Sequence, residues 1–174
     1  MALTTGTEGI KQKDYRVYIG TLADSAATLA SYIASKTKTT FASMVATMSE
    51  LGECRADSIE VNTDKGDTIE GNTQGEIVLN KAGTFAAELI NTTVANIEAL
   101  EALDGVSVVV ALYELNTHTQ SGTGSFKTAI VIPSAVISYS ESIKGSDSIR
   151  STVNITKNTP KVGDFRILAD LDQA

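Results

Sequence analysis

Between residues 14 and 20, Tyr15, Val17 and Ile19 alternate with Arg16 and Tyr18, the period of two that marks a strand. The next stretch, ADSAATLASYIASKTK, changes period. Ala26, Leu29, Ala30 and Ile33 recur at helical spacing with Asp24 or Ser25 placed to cap, which fits either a short helix or a long excursion of helical character. In TTFASMVATMSE, Met44, Ala46 and Met48 alternate with Val45 and Thr47, and the pattern does not separate strand from helix. Alternation is clearer over 52–58, where Glu53, Arg55 and Asp57 share one face and Cys54, Ala56 and Ser58 the other. Ile59 and Val61 then reverse the phase, which predicts a bulge or bend near Asp57 and Ser58.

Turn residues at Lys65-Gly66-Asp67 predict a hairpin into a strand over 68–71, and Gly75 restarts a strand over 76–80. Lys81-Ala82-Gly83 reads as the next turn and 85–91 as the strand after it. TTVANIEALEALDG carries the strongest helix signals in the chain. Thr92 or Thr93 caps it, Val94, Ile97, Leu100 and Leu103 form a stripe, and Gly105 stops it, predicting a helix over 93–104. Residues 106–115, VSVVVALYEL, are apolar on both faces for most of their length, so they predict a central strand covered on both sides. Strand character resumes over 127–139, where Pro133 calls for an edge or a bulge. Residues 148–156 alternate Ile149, Val153 and Ile155 against polar neighbours, and Phe165, Ile167, Ala169 and Leu171 end the chain in phase. The fold class is mainly β, an antiparallel β-sandwich or barrel-like arrangement with one flanking α-helix.

At 174 residues the chain fits a single domain, 1–174, with a mobile N-terminal arm over 1–13 expected from its polar sequence. The net charge of −7 disfavours ordinary nucleic-acid binding, and an aromatic fraction of 5% with no tryptophan disfavours an aromatic-lined groove. The first residues lack the apolar stretch of a signal peptide, and the longest apolar run is too short to cross a bilayer, so no membrane insertion is expected. Cys54, the one cysteine, reads as a small packed side chain. His118, the one histidine, stands in a polar loop without companions for a metal site. The loop Ser121-Gly122-Thr123-Gly124-Ser125 lacks the lysine of a phosphate-binding loop and lies between strands, which makes it a hairpin tip. No nucleophile motif surrounds any serine, and Glu98 with Glu101 reads as a solvated helix face. These features predict a protein that is not an enzyme and holds no cofactor and no metal.

Three segments, MSELGECRADSIEVNTDKGDTIEG, QGEIVLNKAGTFAAELINTTVANIEALEALDG and VSVVVALYEL, resemble in their order the major tail tube proteins of long-tailed bacteriophages. The likeness covers about residues 48–115; DSAATLASYIASKTK and NTHTQSGTGS lie outside it. The resemblance implies a structural virion protein that assembles into stacked hexameric rings, a hollow tube through which DNA passes into the host without sequence-specific binding. It implies tape measure, tail tip or baseplate and tail terminator proteins as partners, assembly in the host cytoplasm and a final place in the phage tail. By the same analogy, the N-terminal arm, the 23–39 excursion and the loop 116–124, with Asn116, Thr117, His118, Thr119, Gln120, Ser121 and Gly122, are expected at contacts between rings.

Candidate channel-facing residues are Glu53, Arg55 and Asp57, with Glu70 and Glu76 from the following strands. Acidic walls suit a DNA conduit, because they repel phosphates and keep the cargo from sticking. The rival readings are the inner tube of a contractile tail or related secretion machine, which shares the fold, and a monomeric β-sandwich module binding carbohydrate, which needs exposed aromatic side chains.

Overall fold

The computed structural model describes residues 15–52, 54–55, 58–63, 68–71, 75–78, 81–90, 93–115, 126–142, 150–159 and 162–171. In chain order these form β1 (Tyr15–Thr21), α1 (Leu22–Ser35), α2 (Lys38–Val45), β2 (Ser49–Glu50), β3 (Glu60–Thr63), β4 (Thr68–Gly71), β5 (Gly75–Val78) and β6 (Lys81–Leu89). There follow α3 (Val94–Leu103), β7 (Ser107–Leu115), β8 (Phe126–Ser142), β9 (Arg150–Thr159), α4 (Val162–Phe165) and β10 (Ile167–Asp170). The fold is mainly β: every strand pairing is antiparallel, and eight strands run in the order β2-β1-β7-β8-β9-β6-β3, with β10 also on β8.

The 17-residue β8 organises the sheet. Its first part pairs with β7 and β10, its last part with β9, so one bent strand belongs to two half-sheets. The bend falls at Pro133 and Ser134, where one extra residue on β8 opposes β7 between the Val110–Ile132 and Val108–Ala135 pairs. A proline without an N–H is tolerated at such a bulge, and Lys157 Nζ donates to the Ser134 carbonyl at 2.7 Å.

Two cores result. The first lies between the half-sheets: Val17, Ile19, Val108, Val110 and Leu112 from one meet Phe85, Ala87, Val153 and Ile155 from the other, with Leu100 of α3 and Phe165 of α4 in the same cluster. The second lies on the opposite face of β7 and β8, where Val109, Ala111, Tyr113, Ala129 and Val131 pack under Leu29 and Tyr32 of α1 and Phe41 and Met44 of α2. Thus β7 is buried on both faces, as its sequence requires. An aromatic series runs through the second core: Tyr18 stacks on Tyr113, Phe41 meets Tyr113 edge-on, and Tyr32 meets Phe41 edge-on.

Local chemistry sets the helix ends. Thr21 caps α1 by accepting from the Asp24 amide at 3.2 Å. Lys36 then turns left-handed (φ 44°) and returns its N–H to the Tyr32 carbonyl. Thr37 and Thr40 form a reciprocal capping box that starts α2. The helix expected over 93–104 is α3, capped by Thr93.

The structure decides the open expectations and corrects others. The stretch after β1 is a full helix, α1, and the ambiguous segment after it is a second, α2, so the flanking helix α3 has companions. Of the strand expected over 52–58, the described residues Gly52, Cys54, Arg55 and Ser58 form no strand, and Glu53, Ala56 and Asp57 lie outside the described residues. Gly52 takes a positive φ of 99°, only Cys54 makes a bridge, to Leu89, and the chain uses this stretch to pass from the β1 edge of the sheet to the β6 edge. The turn expected at Lys81-Ala82-Gly83 is the first third of β6; Gly83 is buried there beneath Phe165. The turn expected at Lys65-Gly66-Asp67 lies outside the described residues. The strands that follow it, β4 and β5, pair with each other from Thr68–Val78 to Gly71–Gly75 as a separate two-stranded sheet.

Candidate assembly surfaces

The second half-sheet has one buried and one open face. Phe85, Ala87, Leu89, Val153, Ile155 and Ile137 point into the first core. Register places the alternate residues on the other side: Glu60, Ala86, Asn154 and Ser138 in one row, Glu88, Thr152 and Ser140 in the next. Ser138 and Ser140 are exposed, and the remaining members of these rows are exposed or half-buried. The face is smooth, polar and built mostly from short side chains. Its carboxylates are Glu60, which is exposed, and Glu88, which is hydrogen-bonded by Arg55 at 3.2 Å and lies 3.5 Å from Arg150 in an ion pair not aligned as a hydrogen bond. Both arginines are well exposed, so each pair contributes about 1 kcal/mol at most.

Of the expected channel residues, Arg55 is described. It is exposed, its amide donates to the Glu88 carbonyl at 2.8 Å, and its guanidinium holds Glu88, so it sits at the margin of this polar face. Glu53 and Asp57 lie outside the described residues. Register sets Glu70 directly opposite Glu76 on the hairpin, away from the rows of the half-sheet. The loop residues Asn116, Thr117, His118, Thr119, Gln120, Ser121 and Gly122 lie outside the described residues, as does the N-terminal arm. Sequence reading missed Ser138, Ser140, Thr152 and Asn154; the signal was the strict alternation of serine, threonine and asparagine with apolar residues along both strands.

Cys54 is half-buried against the first core, and burial pushes its thiol up to about 11. At pH 8 that leaves about one thiol in a thousand ionised, against about one in ten for the reference thiol at 9.0, so alkylation of the folded protein is expected to run about 100-fold slower than that of the urea-unfolded chain. The rate should climb about tenfold per pH unit up to pH 10; equal rates for folded and unfolded protein at pH 8 would refute the packing role.

A second surface surrounds α3. A cleft of about 300 Å³ opens between this helix and the ends of β1 and β2; Ile19, Leu51, Ala99, Leu100 and Leu103 form its apolar floor, and Asp24 and Glu50 stand among its lining residues. Glu50 is paired with Arg16, while Asp24 accepts from the Thr21 hydroxyl at 2.6 Å. Seven of the ten residues of α3 are apolar, yet only Leu100 is buried and Val94 is 69% exposed. Apart from Asn96, Glu98 and Glu101 the helix is apolar, and most of its apolar side chains stay exposed or half-buried.

Among the described residues there is no group of three or more histidine, cysteine, aspartate or glutamate side chains able to hold a metal. Among them, too, no helix is long and apolar enough to cross a membrane. No family model matches this chain, and no curated protein matches it.

Proposed function

We propose that this chain is the tube-forming structural subunit of a phage tail, a non-enzymatic protein that works by associating with copies of itself. The observation that carries the reading is the asymmetry of the second half-sheet: one face closes an apolar core, and the other offers rows of mostly short polar side chains. Such a surface suits the wall of a water-filled channel. Small hydroxyl and amide groups hydrate well, present no aromatic platform for bases to stack on, and leave the net charge of −7 to hold DNA phosphates off.

On this reading six copies form a ring, rings stack, and DNA crosses the lumen without being bound. Negative-stain electron microscopy of the purified protein over a range of concentration and salt is expected to show rings or hollow tubes of uniform width. A protein that stays monomeric throughout, and also when a tail-tip complex is supplied as initiator, would overturn the proposal.

A further inference from the structure

The cleft beside α3 is one half of a contact, and α1 carries the other half at its far end. In the last turn of α1 and the corner that follows, Ile33 is 45% exposed, Lys36 is exposed on its left-handed turn, and Lys38 opens α2. This corner, the knob, is an exposed apolar side chain beside an exposed cation, Lys36. The cleft has the reverse character: an apolar floor, Asp24 in its lining beside a Glu50 already paired with Arg16, and exposed Glu98 and Glu101 along an α3 that has no basic residue. We infer that the α1–α2 corner of one copy, led by Ile33 and Lys36, seats in the α3 cleft of a second copy of this chain.

The choice of a second copy rests on charge complementarity between the two patches, and the geometry of α1 makes the contact head-to-tail. Asp24, in the first turn of α1, lines the cleft, and Ile33 lies in the last turn, so the helix holds the two patches about 14 Å apart along its axis. A two-fold contact of cleft on cleft would set acid against acid and leave the apolar floor unfilled. A heterologous contact pairs each carboxylate patch with a lysine corner, covers Val94 and Ala99, and repeats from copy to copy until it closes into a ring or continues as a filament. The inference rests on the self-assembling reading above and assigns it an interface.

The test uses two variants that each destroy one half. Ile33→Asp with Lys36→Glu removes the knob; Ala99→Arg with Glu98→Lys blocks the cleft. All four positions are exposed, and far-UV circular dichroism melts verify that both variants fold. By sedimentation velocity each variant alone is expected to self-associate at least about tenfold more weakly than the unmodified protein. An equimolar mixture is expected to form a discrete dimer, because the intact cleft of one variant accepts the intact knob of the other.

Either variant assembling like the unmodified protein, a mixture without the dimer, or an unmodified protein monomeric up to about 1 mM would overturn the inference. A mixture without the dimer would assign the cleft to some other partner. The two readings fail separately. Hollow tubes that persist with the knob variant leave the tube and remove this interface, whereas mixed dimers from a protein that builds no tube leave the interface and remove the tube.

Discussion

Gly83→Ala is expected to destabilise the protein by about 3–5 kcal/mol, roughly what truncating a buried phenylalanine costs. A methyl group built on Gly83 would sit 2.1 Å from Cγ and 2.4 Å from both Cδ atoms of Phe165, far inside van der Waals contact with the ring. Phe165 is 1% exposed and ends α4, the single turn that carries the chain from β9 to β10. The ring cannot yield by a small rotation; it must leave its site, taking with it the cover over the end of the first core. Denaturant unfolding measures this directly.

A double-mutant cycle gives the sharper test. In a Phe165→Ala background the added methyl has space, and alanine in a strand costs less conformational freedom than glycine, so Gly83→Ala should become neutral or mildly stabilising. Additive losses in the cycle would show that the ring and the glycine are not coupled.

Phe41→Ala is the second large effect, also about 3–5 kcal/mol. Phe41 is fully buried and meets Tyr32 and Tyr113 edge-on at centroid separations of 5.6 and 5.8 Å. Its removal empties the middle of the layer that joins α1 and α2 to β7, so the near-ultraviolet circular dichroism of the tyrosines should collapse before far-ultraviolet signal is lost. Tyr32→Phe, one contact away, should act in the opposite direction. Among the described residues the buried Tyr32 hydroxyl has no hydrogen-bond partner, and burial pushes it up to about 12. Deleting that oxygen removes an unmet polar group and is expected to add about 1 kcal/mol. A loss of stability in Tyr32→Phe would mean that the hydroxyl is satisfied after all.

The sequence was most legible where local and global requirements coincide. The helix α3 announced itself through the Thr93 cap and the Gly105 stop, and β7 through a run apolar on both faces. In α1 the stripe expected through Ala26, Leu29, Ala30 and Ile33 points partly the wrong way: the buried positions are Ser25, Leu29 and Tyr32, and Ile33 faces solvent. Serine and tyrosine count as polar in a pattern, but Ser25 is held by the Thr47 hydroxyl and Tyr32 sits in an aromatic layer. Gly83 misled for a different reason. A glycine after Lys81-Ala82 carries every local mark of a turn, and only a ring 82 residues further along the chain makes it the packing position of a strand.

The alternation over 52–58 suggested a strand and, with it, a charged face for Glu53, Arg55 and Asp57. The structure instead uses the stretch as a crossing between sheet edges, with Arg55 and Ser58 both tied to Glu88. The polar face of the second half-sheet was legible strand by strand. Its assembly into one surface depended on pairings between β6, β8 and β9, which no single segment reveals.

The pairing of β1 with β7 sets a timetable for synthesis. Tyr15 lies opposite Glu114 and Thr21 opposite Val108, so β1 finds its partner only after about 90 further residues have been made. At about 5–20 residues per second, β1 and the helices behind it wait on the order of 5–20 s with Val17, Ile19, Leu29 and Phe41 uncovered. By contrast, β7, β8 and β9 are consecutive strands that pair as they emerge. The nascent chain therefore holds its N-terminal quarter open until the meander is made, an interval in which a chaperone or a neighbouring nascent subunit has access to surfaces that the finished protein conceals.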